Sequence, residues 1–83
     1  MRTVARFDGI KIQLFYDEHP PPHFHATFAE HSACFLITTL ELSEGRLPRV
    51  QLRAVRAWAR TRQNELTRAW EHCIADEHPG TIR

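Results

Sequence analysis

Thr3-Val4-Ala5-Arg6-Phe7-Asp8-Gly9-Ile10-Lys11-Ile12-Gln13-Leu14-Phe15-Tyr16 is the stretch that decides the fold. Strand formers run from Thr3 to Phe7, and Asp8-Gly9 is a strong two-residue hairpin turn because both of its positions favour φ > 0. Residues 10–16 then alternate. Ile10, Ile12, Leu14 and Tyr16 point to one side, while Lys11, Gln13 and Phe15 point to the other, as in a half-buried antiparallel strand. An antiparallel sheet that begins this way needs a cover on its apolar face.

Working outward, Asp17-Glu18-His19-Pro20-Pro21-Pro22 cannot extend the ladder, since three successive prolines supply no N–H donors. They predict a stiff connection into a strand over 23–28. Phe24, Ala26 and Phe28 share one face of it, and His23, His25 and Thr27 the other. Ala29-Glu30-His31-Ser32 reads as the next turn and 33–42 as one long strand, apolar on both faces and ended by Ser43-Glu44-Gly45. Helical spacing follows: Leu52, Val55, Trp58 and Ala59, then Leu66, Ala69, Trp70, Cys73 and Ile74. One straight helix over 49–75 would be about 40 Å long. A break near Gln63-Asn64, with Asn64 as cap, is therefore expected.

The predicted architecture is α+β in one domain over residues 1–83: a four-stranded antiparallel β-meander followed by two α-helices (ββββαα) packed on one sheet face. The strands are placed at about 3–7, 10–16, 23–28 and 33–42, the helices at about 49–62 and 65–75, and a loose tail at 76–83. A chain of 83 residues buries only roughly 60% of its unfolded surface, so association with a second copy is a natural source of added stability.

No apolar run approaches the roughly 18 residues of a membrane span. The first residues enter a strand directly and show no secretory h-region. Cys34 and Cys73 lie far apart, without metal-type spacing, and read as reduced, buried small hydrophobes. A cytoplasmic protein with no membrane association is expected.

The formal net charge of +1 conceals three blocks. Residues 1–45 carry three basic and six acidic side chains, 46–62 carry six arginines and no acid, and 63–83 carry two basic and four acidic. Arg49, Arg53, Arg56 and Arg60 recur at intervals of four, three and four, which puts them on one helix face, with Arg46 and Arg62 extending the block. A solvated face is the plain reading; an acidic protein partner is the functional one. Nucleic acid ranks lower, because a sequence pI of about 7.9 lacks the basic excess of typical binders.

The second constellation is His23-x-His25. Alternation puts both imidazoles on one face, roughly 7 Å apart along the strand. That separation suits two ligands of a divalent metal, with His19, Asp17 or His31 as a third, or an acid–base pair in which His23 and His25 are the catalytic candidates. The plain alternative is that the rings brace the proline loop. Phe15 and Leu36 fall on the same face and would line a shallow pocket or a contact surface. Trp58 and Trp70 read as helix-borne core anchors.

Arg2-Thr3-Val4-Ala5-Arg6-Phe7-Asp8-Gly9-Ile10, Pro21-Pro22-His23-Phe24-His25-Ala26, 39–48, and Trp58-Ala59 with Glu65-Leu66 and Trp70 together resemble the domain of unknown function family 4160. The likeness runs from residue 2 to about 75. It implies a small bacterial protein, encoded beside another small protein in a toxin–antitoxin-like arrangement, with His23 and His25 as a hallmark pair of unassigned role. The sequence departs from that pattern at Leu36 and Thr38, where members often carry an acid, and at Arg53, Arg56 and Arg60, where they often carry apolar or acidic residues. The expectation is a non-enzymatic interaction component that meets a neighbouring gene's product or itself. The alternatives are a histidine- or metal-dependent enzyme acting on nucleic acid or nucleotide through His23 and His25, and a purely structural accessory subunit.

Overall fold

A computed structural model of the chain describes residues 2–15 and 19–82. Five antiparallel strands, β1 (Arg2–Phe7), β2 (Ile10–Leu14), β3 (His23–Phe28), β4 (His31–Leu36) and β5 (Leu42–Arg46), lie side by side in sequence order. Two helices follow, α1 (Arg49–Arg60) and α2 (Gln63–Ile74). Asp8 and Gly9 both take positive φ and close the first hairpin as the sequence implies. Tyr16, the expected end of the second strand, and Asp17, an alternative third metal ligand, lie outside the described residues.

The core fills one side of the sheet. Ile10, Ile12 and Leu14 of β2, Phe24 and Ala26 of β3, and Phe35 of β4 are buried against Val55 and Ala59 of α1 and Leu66, Trp70 and Cys73 of α2. Phe24 and Phe35 are direct cross-strand partners whose rings stack 5.4 Å apart, so the hairpin is held by aromatic packing as well as by its ladder. Trp70 is the core anchor expected of it, whereas Trp58 is half-buried at the rim, stacked on Phe7 at 5.2 Å.

The main departure from the sequence reading is the stretch expected as one strand over 33–42. The chain leaves β4 after Leu36, turns through 37–39 and returns as β5, so the sheet has five strands, not four. Thr38 and Thr39 look like strand residues, but here they form the turn, where the Glu41 amide donates to the Thr39 hydroxyl. Ile37 and Leu40 are apolar because both plug the core, at 1% and 7% exposure, and not because they alternate in a ladder. Leu40 takes φ 62°, a conformation costly for a β-carbon-bearing residue. Helix side chains secure this turn: Gln63 Nε2 donates to the Ile37 and Thr38 carbonyls at 2.7 and 3.0 Å, and Arg56 Nε donates to the Leu40 carbonyl at 3.1 Å.

The helical break falls at 61–62, slightly before the expected Gln63-Asn64. Arg62 occupies the position preceding α2, and Asn64 lies inside the helix without capping it. Pro48 immediately precedes the first residue of α1. The tail, expected to be loose, returns to the sheet, where the Ile82 amide donates to the Val4 carbonyl at 2.7 Å and partly covers the β1 edge.

β5 depends on Gly45. Its φ of 73° disfavours any L side chain, and a Cβ there would collide with the Ser32 carbonyl oxygen of β4. Gly45→Ala is expected to destabilise the fold by about 2 kcal/mol or more, read from the midpoint of urea unfolding. An unchanged midpoint would contradict the β4–β5 pairing described here.

Candidate functional site

The face of the sheet away from the helices carries Gln13 and Phe15 from the β2 side, His23 and His25 from β3, Cys34 and Leu36 from β4, and Glu44 from β5. The β3–β4 register makes His25 the partner of Cys34 and His23 the partner of Leu36, while Cys34 faces Glu44 on its other side. His23, His25, Cys34, Leu36 and Glu44, with Ser43 and the incoming loop at His19, Pro20 and Pro21, line an open cleft of about 450 Å³.

The structure brings the two expected histidines together. Their ring centroids are 5.3 Å apart, edge to face. His23 starts β3 beyond the last β2–β3 pair, Gln13↔His25, and its ring also lies 5.0 Å from that of Trp70. Its Nδ1 is 2.8 Å from the Pro21 carbonyl, which can only accept, so Nδ1 carries the proton and donates. The ring therefore braces the proline loop while still facing the cleft. His25 is packed against Phe15, with centroids 4.2 Å apart, and its Nδ1 lies 3.1 Å from Cys34 Sγ.

His19 is exposed at the mouth of the same cleft. His31 is not part of it. As the partner of Phe28 it stands at the opposite end of the hairpin, 3.6 Å from Glu30. Among the described residues, no group of three or more His, Cys, Asp or Glu side chains is arranged to hold a metal ion.

Cys34 is the residue that sequence reasoning missed. It is half-buried in the cleft wall, whereas Cys73 is buried among the helices, and burial pushes the Cys73 thiol above its ordinary range. A four-residue turn at 29–32 would pair His25 with Leu36. The two-residue turn at Ala29-Glu30 moves the register by two and pairs it with Cys34. Parity is preserved, so the faces were legible while the partners were not.

The arginine stripe occupies the flank of α1 beside its buried face. Arg49, Arg53 and Arg60 are exposed and have no hydrogen-bond or ion-pair partner among the described residues. Arg56 differs: it is half-buried and committed to the Leu40 carbonyl. Arg62 turns towards α1, donating to the Trp58 carbonyl at 2.8 Å with its guanidinium 5.2 Å from the Trp58 ring centroid.

Residues 9–71 match the family model described as Domain of unknown function (DUF4160). No curated protein and no solved structure gives a significant match.

The bracing role of His23 has a measurable consequence. His23→Ala removes the bond to Pro21 and the packing on Trp70, and is expected to cost about 1–2 kcal/mol in urea unfolding. A variant as stable as the parent would show that the ring does not secure the loop.

Proposed function

The chain belongs to the DUF4160 family, whose function is unknown, and we propose that it is a non-enzymatic interaction protein, one component of a toxin–antitoxin-like two-gene module. In this reading α1 docks an acidic surface on the product of the neighbouring small gene, in the cytoplasm. The observation that carries it is the exposed trio Arg49, Arg53 and Arg60, which have no acidic partner among the described residues. Like charges on one helix face repel one another, and a partner's carboxylates would relieve that repulsion. The exposed Val50, at 72%, lies next to Arg49 and one turn from Arg53, and adds an apolar contact beside the charged row. Arg56 contributes less, because its guanidinium already serves the Leu40 turn.

A second reading, acid–base catalysis on a nucleic acid or nucleotide, is favoured by the meeting of His23 and His25 in an open cleft. The face holding Phe15 and Leu36 would serve a homodimer in a third. The two side chains are only half-buried within one subunit, which supports that contact weakly.

The test is co-expression with the neighbouring gene's product and co-purification on a tag placed on that product. The parent chain is expected to co-purify and to be released by raised salt. Arg49→Glu with Arg53→Glu should reduce recovery at least tenfold while leaving the unfolding midpoint within about 0.5 kcal/mol of the parent, as expected for exposed positions. Equal recovery of parent and variant would contradict the proposal.

A further inference from the structure

We infer that Cys34 is a reactive thiol, activated by His25, that exchanges with low-molecular-weight disulfides entering the cleft. This goes beyond the docking role of α1 and does not depend on it. Three features of the cleft support it. The Sγ–Nδ1 separation is 3.1 Å, hydrogen-bond distance for a thiol donating to an imidazole whose own proton sits on Nε2. His25 is held in place for that contact by the Phe15 ring on one side and by its position opposite Cys34 in the ladder. The pair also opens onto a cleft of about 450 Å³, so a small co-substrate can reach the sulfur.

The surrounding groups narrow the chemistry. Glu44 stands opposite Cys34 in the neighbouring ladder and lines the same cleft. His23 and His19 also line the cleft and add no fixed negative charge. The thiol proton moves to Nδ1 as attack begins. Acyl transfer would need N–H donors aimed at a developing oxyanion. Cys34 pairs with His25 on one side and with Glu44 on the other, where a bulge follows it. Disulfide exchange needs no such donors, because the leaving sulfur carries its own charge.

In the reaction, His25 Nδ1 takes the thiol proton and Cys34 Sγ attacks one sulfur of the disulfide. The old S–S bond breaks, and the departing thiolate takes the proton from His25. Cys34 is oxidised to a mixed disulfide, and half of the small disulfide is reduced to a thiol.

Oxidised glutathione is the probe, with peptide mass mapping of the folded, initially reduced protein. Cys73, buried at 1% exposure, is the internal reference and reports unfolding by becoming reactive. Cys34 is expected to acquire glutathione at least about tenfold faster than Cys73, and at least as fast as free N-acetylcysteine despite its partial burial. His25→Ala should slow the reaction about tenfold or more, even though removing the ring widens access to the sulfur. A variant that reacts equally fast or faster would show that the ring only shields Cys34, and would overturn the proposal. If Cys73 becomes reactive in the variant, the parent alone decides: a Cys34 rate below that of N-acetylcysteine overturns the proposal, and a rate at or above it supports it.

Discussion

The two-residue turn at Ala29-Glu30 sets the pairing of β3 with β4, and with it the contents of both faces of the sheet. On the covered face it places Phe24 against Phe35, the largest pair of fully buried side chains in the core. On the open face the same register places His25 against Cys34 and His23 against Leu36. A slip of β3 by one residue would send His23 and His25 into the core and Phe24 to the open face. The burial of Phe24 and Phe35 therefore makes that slip expensive, since each aromatic contributes several kcal/mol to the core. The geometry of the cleft is in this sense secured from the other side of the sheet.

The helices depend on the same region by a different route. The turn after β4 exposes carbonyls at residues 37, 38 and 40 that no ladder can satisfy, and α1 and α2 each supply a donor through Arg56 and Gln63. Leaving part-buried carbonyls without donors is costly, so this polar junction helps to orient both helices over the sheet. It also divides the arginine stripe. Arg56 is spent internally, while Arg49, Arg53 and Arg60 remain at the surface, where their charges act on whatever approaches.

Much of this was readable from sequence. Alternation in 10–14 and 23–28, the Asp8-Gly9 turn and the two helical patterns give the faces, the first three strands and the helix-covered sheet, because each rests on a local period that burial enforces. The histidine pair and its company with Phe15 and Leu36 were legible for the same reason. The break at 37–41 was not. Ile37 and Leu40 supply apolar side chains at intervals that a strand would also use, and Thr38 and Thr39 have strand propensity. Backbone bonds from Leu40 to Leu36 and from Leu36 to Glu41 close the turn, and Gln63 and Arg56, each more than a dozen residues away, secure it. Cys34 was hidden by a smaller error: a turn read as four residues instead of two keeps the face of every side chain but changes its neighbour.

That register is also where the account is most directly exposed. Cross-strand nuclear Overhauser contacts across the β3–β4 hairpin, measured on the isotopically labelled protein, report the pairing without reference to any activity. The expected contacts join His25 to Cys34 and His23 to Leu36. Contacts pairing His25 with Leu36 instead would contradict that register, separating the imidazole from the thiol and removing the basis of the cleft described here.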